Sequence, residues 1–457
     1  MELMNDIEKY IEANKSSIVR DIARLVAVDS VEGSPEEGAP FGRGPAKAME
    51  TALEIACELG LETENYEDRI CCARIGAKDG KYLATITHLD VVPVGEGWTG
   101  DPFKLRERDG YLIGRGVMDD KGPAVICLYA LRYLKEKGME LPYGIRALMG
   151  LNEETGMKDV EYYLENYPAP VFCLSPDANF PICNGEKGIC QGRITGTFEA
   201  QNIVALRGGV AMNAIPGKSE AWLRCRIPEA SADVSVEVEN GLVHLTASGI
   251  SGHASIPQGT RNANGVLVDF ILENQLAGEE EEKFLRKLSL LHHDYSGKTL
   301  GIDADDGLFA PLTVIGSVIS VEDGKLVQCY DCRYPTNTDA ETIRKGIESA
   351  FEGLAEVSVG HNAVPFYISV DNPAIQVCLE AYNTVTGEEA KPFTMGGGTY
   401  ARDFPNGVAF GPEHPERPQP DFAGPIHGAD EAACLDYFLE ALKIYILALI
   451  NLEKLSF

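Results

Sequence analysis

Histidine and carboxylate residues stand in this chain where apolar runs give way to loops. His88 and Asp90 close the run YLATITHLD, Glu153 and Glu154 follow IRALMGLN, and Asp177 follows VFCLSP. Asp119 and Asp120 lie in GRGVMDDKGP, between glycines and a helix start, and His427 lies in GPIHGADE. Imidazole nitrogen and carboxylate oxygen are donors that a divalent cation would take. A metal-bound His needs its second ring nitrogen oriented by an acceptor, and a nearby carboxylate supplies one. Adjacent carboxylates at the end of a buried strand repel unless cations or a shared proton compensate. Glu153–Glu154 therefore reads as one ligand and one base, whereas the same pair on an exposed loop would mean nothing. Taken singly, each of these residues reads as a cap or a satisfied polar group, Asp119 as an N-cap for the following helix. That reading explains one Asp but not an adjacent pair after GRG, and it does not explain the joint occurrence at strand ends.

The elements that must position these residues are legible in outline. Helical patterns run over about 4–27 and 43–60, then a strand over Tyr82–His88 and a helix over Gly122–Lys137. A strand at Ile145–Leu151, a short helix near 157–166 and a strand at Val171–Ser175 follow. Strands alternating with helices predict a mostly parallel α/β sheet, and sites in such sheets sit at the carboxyl ends of the strands. After NGEKG (184–188) the texture becomes that of an antiparallel α+β module. Its helices are expected near 262–274, 280–293 and 339–352, with strand sets in two stretches, about 190–274 and 313–357. From about 367 the α/β texture returns, with a helix at 373–386, the loop TMGGGTYAR and a terminal helix from Glu431 to about Glu453. The predicted organisation is a catalytic α/β domain, 1–187 plus 367–457, interrupted by an α+β lid domain over 188–366.

Composition bounds the function. The 457 residues are 44% hydrophobic and 24% charged, as in an ordinary globular protein. Forty Lys+Arg against 70 Asp+Glu give a formal charge of −30, which opposes binding to nucleic acid or an anionic membrane. Most of those acids serve solubility. The 12 cysteines are scattered, and the one C-x-x-C, Cys329–Cys332, has no second pair or His at zinc spacing. Reduced, buried thiols are expected. The N-terminus lacks a signal-peptide core, and no stretch reaches the roughly 18–20 apolar residues of a membrane helix. A cytoplasmic protein is expected.

The motifs HLDVVPVGEGW, GRGVMDDKGP, NEETG, SPDANFPICNGEKG, ALRGGVAMNAIP, GHAS, DCRYP, GGGTYAR and HGADE, in this order, resemble the M20 family of dinuclear metallopeptidases across almost the whole chain. MDDKGP, EKG and GGGTYAR look most like its bacterial PepV-type dipeptidase branch, which acts on unblocked dipeptides. The resemblance implies two divalent ions, zinc first and manganese or cobalt as alternatives. His88 and Asp177 would hold one, Glu154 and His427 the other, and Asp119 would bridge. Glu153 would be the general base and Asp90 would orient His88. His253 in SGISGHASIP matches the lid His that donates to the oxyanion; a surface-loop His is the bland alternative. Arg333 in DCRYP matches an Arg that forks onto a substrate carboxylate, against the competing reading of an edge-strand Arg in a surface ion pair. Asn213 matches a residue near the substrate. Gly396, Gly397 and Gly398 could present amides to a carboxylate, or be simply a flexible loop. Two features depart from the family. Asn152 stands where many members have Asp, and the insert is longer than the lid of dimeric relatives. In PepV-type members such a lid replaces the partner subunit, so the resemblance implies a monomer. Deacylation of N-acyl amino acids, as in the acetylornithine deacetylase and succinyl-diaminopimelate desuccinylase branches, is the alternative activity. A non-catalytic binding protein on this fold is a third reading.

Overall fold

Alternate side chains of the strand Ile70–Ile75 enter different cores, which is how a pleated strand builds a three-layer structure. Cys71, Ala73 and Ile75 pack with helices on one face, whereas Ile70 and Cys72 pack on the other. The strand Gly144–Gly150 repeats the division, with Ile145, Ala147 and Met149 on the first face and Leu148 on the second. This computed structural model describes residues 2–77 and 80–457. The chain forms two compact units, one of Met1–Asn184, Ile368–Phe393 and Gly398–Phe457, the other of Gly185–Tyr367 and Thr394–Gly397.

In the first unit the sheet runs Glu62–Tyr66, Ile70–Ile75, Gly144–Gly150, Tyr82–His88, Phe172–Ser175 and Gly407–Ala409. The last four strands are mutually parallel, and the first two pair antiparallel at one side. Every residue of Tyr82–His88 is buried, as expected of a central parallel strand covered on both faces. Helices Glu2–Val26, Arg43–Glu58, Lys121–Glu136, Pro373–Thr386 and Leu435–Leu452 contribute to the larger core. Lys158–Asn166 and the short 3-10 helix Tyr400–Asp403 contribute Val160, Tyr163 and Tyr400 to the core on the opposite face. Because these strands are parallel, His88, the turn after Gly150 and the turn after Ser175 emerge at one edge.

The second unit is an eight-stranded antiparallel sheet covered by helices Ala263–Glu273, Glu279–His293 and Ala340–Ala350. The two strand sets expected in this stretch form one continuous sheet. Ile203–Gly208 pairs with Thr313–Glu322, so Arg207 lies opposite Ser320. All 12 cysteines are free, and Cys329 and Cys332 are buried in the strand Lys325–Tyr334. Among the described residues, no helix is long and apolar enough to cross a membrane.

Candidate metal centre

His88 ends its strand fully buried, with Nε2 2.8 Å from Asp119 Oδ1 and 4.0 Å from Asp177 Oδ2. His427 Nε2 lies 3.0 Å from Asp119 Oδ2 and 3.2 Å from Glu154 Oε2. Each oxygen of Asp119 thus meets a different imidazole, which is the geometry a bridging carboxylate requires. Among the described residues, two sets of donor atoms converge within 4.8 Å, His88 with Asp119 and Glu154, and His88 with Asp120 and Asp177.

Asp90 faces the ring nitrogen of His88 that points away from Asp119. Nδ1 of His88 is 3.0 Å from the Asp90 backbone carbonyl and 3.5 Å from its carboxylate. An Nδ1–H donated to that carbonyl leaves Nε2 as the nitrogen that faces Asp119. The Asp90 carboxylate also accepts the backbone N–H groups of Glu153 (3.2 Å) and Glu154 (3.1 Å). It therefore ties the His88 loop to the Asn152–Glu153–Glu154 turn. The capping reading of Asp119 also fails. Asp120 holds the N-cap position of Lys121–Glu136 and makes no side-chain cap bond. Its Oδ2 accepts the His88 N–H at 3.1 Å, while Oδ1 is buried without a hydrogen bond.

The electrostatics are those of a carboxylate cluster short of positive charge. Burial, followed by the neighbouring Asp119, pushes Asp177 well above the usual carboxylate range. Burial and then the nearby Asp119 also raise Glu154, against its bond to His427. Burial raises Glu153 well above its ordinary value, with Asp177, Glu154 and Asp119 adding to it and His88 opposing. Burial acts to lower His88, but its hydrogen bonds with Asp119 and Asp90 prevail and raise it. Bonds with Asp119 and Glu154 raise His427 to about 10. Oε1 of Glu154 is buried and without a hydrogen bond. An unpaired oxygen beside four carboxylates and two imidazoles fits divalent cations, which would satisfy the donors and remove the like-charge repulsion.

Further residues position this centre although no local pattern links them to it. The Asp159 carboxylate accepts the N–H groups of Leu151 (2.6 Å) and Asn152 (3.0 Å) and the hydroxyl of Tyr400. Asn152 Oδ1 in turn accepts the N–H of Lys158 at 3.2 Å, so the amide closes the turn. Glu431, expected at a helix start, lies four residues before the helix Leu435–Leu452. It is buried against Arg115, with Nη1 to Oε2 at 2.6 Å. An Arg in GRG and a Glu in HGADE were visible as opposite charges, but nothing local links them.

The remaining sequence-predicted residues belong mostly to the second unit. His253 pairs across a short ladder with Ala214, next to exposed Asn213, whose carbonyl accepts the Ala254 N–H at 2.9 Å. Nδ1 of His253 is 2.7 Å from Ser255 Oγ and accepts the Ser255 N–H at 3.2 Å, so the neutral ring carries its proton on Nε2. Gly396 packs against Ser255, where a Cβ would come within 2.8 Å of the serine Cβ. The edge-strand reading of Arg333 requires correction. It is buried in a strand paired on both sides, not at an edge. Its fork engages Asp331 (2.6 and 3.0 Å), and Nη1 donates to the Gly396 carbonyl at 3.0 Å. Gly397 lies with Gly396 in this unit, and Gly398 belongs to the first.

The profile of peptidase family M20/M25/M40 matches residues 84–451. A Beta-Ala-Xaa dipeptidase of Lactobacillus delbrueckii subsp. lactis is 34% identical, over 98% of this chain and 98% of its own. A putative dipeptidase of Bacillus subtilis (strain 168) is 30% identical over 98% of this chain and 99% of its own. Among solved structures, human carnosine dipeptidase 1 has a TM-score of 0.63 at 16% identity, covering 99% of each chain. A dipeptidase from Saccharomyces cerevisiae gives 0.61 at 14% identity, again over 99% of each chain.

Proposed function

This chain belongs to peptidase family M20/M25/M40, and on that premise we propose that it hydrolyses the peptide bond of unblocked dipeptides with the help of two divalent cations. The observation that carries this reading is Asp119, one oxygen of which faces His88 and the other His427. In this reading His88 and Asp177 hold one cation, Glu154 and His427 the other, and Asp119 serves both. Zinc is the first choice and manganese or cobalt the alternative. The cations, when bound, supply Lewis acidity to the scissile carbonyl and lower the pKa of water. Glu153 takes the proton of the attacking water and returns it to the leaving amine. Burial chiefly raises its pKa, the direction that suits a group taking up a proton during turnover. Asp90 keeps Glu153 and Glu154 in register with His88 through their two peptide N–H groups.

From the second unit, His253 is proposed to donate from Nε2 to the developing oxyanion, in support of which its Nδ1 accepts from Ser255. Asn213, whose carbonyl accepts the Ala254 N–H in the His253 loop, is proposed to contact substrate, as are Gly396, Gly397 and Gly398. Arg333 is proposed to act on the substrate carboxylate, and its Nη1 also holds the Gly396 carbonyl. The protein is proposed to act as a monomer in the cytoplasm on small peptides.

Deacylation of N-acyl amino acids uses the same ligands and base, so substrate chemistry must discriminate. The similarity to a Beta-Ala-Xaa dipeptidase favours a free amino terminus. The test is a panel of α- and β-alanyl dipeptides and N-acyl amino acids, assayed with metal-free protein and after restoring zinc, manganese or cobalt. Turnover of free dipeptides only with metal supports the proposal. Preference for N-acyl amino acids, or full activity after exhaustive chelation, overturns it.

A further inference from the structure

We propose that Glu431 and Arg115 are a positioning pair that holds the Asp119 and His427 loops in ligand geometry, and through them sets metal affinity. The inference rests on the dinuclear reading above. Glu431 and Arg115 are each 1% exposed. Both oxygens of Glu431 are saturated by one loop. Oε2 accepts Arg115 Nη1 (2.6 Å) and the Gly116 N–H (3.1 Å), while Oε1 accepts the N–H groups of Met118 (3.0 Å) and Asp119 (3.2 Å). The last donor is the peptide nitrogen of the bridging ligand itself. Gly116 adopts φ 77 in this loop, and a Cβ there would strike Val91 at 2.8 Å, so the turn that points its amides at Glu431 needs glycine.

Arg115 carries the tie further. Its Nη2 donates to the carbonyl of His427 (3.2 Å) and to that of Val94 (3.3 Å). Trp98 lies beneath the guanidinium at 5.2 Å and donates Nε1–H to the same Val94 carbonyl at 2.7 Å. One ion pair therefore links the backbone behind Asp119, the backbone of His427 and the segment that follows Asp90. Desolvating two charges is costly, and such a pair adds little net stability over apolar residues of equal size. Its placement behind two ligands gives it a different use, which is fixing where their donor atoms point.

The test uses the full-length protein. Glu431→Gln keeps the shape but replaces one acceptor by an NH2 facing N–H groups. Metal-free wild type and variant are titrated with zinc against a chromophoric chelator, cobalt(II) spectra are recorded for both, and urea unfolding of the metal-free forms is measured alongside. We expect zinc affinity to fall about 10- to 100-fold, with an altered cobalt spectrum and partial recovery in Glu431→Asp. Wild-type affinity and an unchanged spectrum in folded Glu431→Gln would overturn the pair, whatever happens to its unfolding midpoint. Should Glu431→Gln fail to fold, Arg115→Lys, which keeps the charge but loses the reach to His427, is judged by the same two readouts. Failure of the dipeptidase reading looks different: wild type would turn over no dipeptide, while the affinity ratio between wild type and variant would still report on the pair.

Discussion

Asp119 and Glu153 sit in the same cluster but are assigned different tasks, and removal of each should read differently. Asp119→Ala should lose metal and activity together, because its two oxygens face two imidazoles. Glu153→Ala should keep both metals by elemental analysis while kcat drops by about 10²–10⁴, the usual contribution of a general base. Loss of metal from the Glu153 variant would assign it to ligation instead. The histidines set the pH dependence. In the metal-free protein His427 titrates at about 10, held up by Asp119 and Glu154, so it is protonated at pH 7. A metal must displace that proton, and apparent affinity therefore rises with pH below about 10. Calorimetry in buffers of different ionisation heat should find at least one proton released per metal-loaded centre at pH 7; no release would contradict the assignment of His427.

At the scale of elements, the site depends on turns braced from behind. The strand Gly144–Gly150 delivers Glu153 and Glu154, but their direction is set by Asp90 in front and by Asp159 and Tyr400 at the back. Gly150 leaves room for this brace, since a Cβ there would lie 2.2 Å from the Tyr400 hydroxyl and 2.5 Å from Asp159. Tyr400→Phe removes one of the donors to a buried carboxylate. It should cost about 1–3 kcal/mol in urea unfolding of the metal-free protein, and a change below about 0.5 kcal/mol would show that the brace is redundant.

At the scale of the whole molecule, the long insert bears on oligomeric state. Residues Gly185–Tyr367 form a unit with its own sheet and core, and His253 belongs to it. A monomer predicts a light-scattering mass near the chain mass of 49.6 kDa. It also predicts that mixing His253→Ala with Glu153→Ala protein restores no activity. Recovery on mixing would mean that one subunit's His253 serves its partner's centre.

The sequence by itself determined the strand-and-helix order and the donors at the strand ends, because both are local properties. The strand Tyr82–His88 and the helix Pro373–Thr386 follow from periodicity and bounding turn residues, and His88, Glu153 and Asp177 stand out as polar residues ending apolar runs. Only the tertiary structure decided which partners those residues take. Asp90 offers its carbonyl to His88 and its carboxylate to a turn 63 residues on. Arg333 spends its fork on Asp331, and Glu431 leaves the terminal helix to pair with Arg115, 316 residues away. The two strand sets of the insert became one sheet by two pairings, Gly188–Gly196 with Lys325–Tyr334 and Ile203–Gly208 with Thr313–Glu322. Periodicity reports which side of an element is apolar; it cannot report which distant backbone amide or buried charge will satisfy a desolvated polar group, since that depends on the folded positions of segments far apart in the chain.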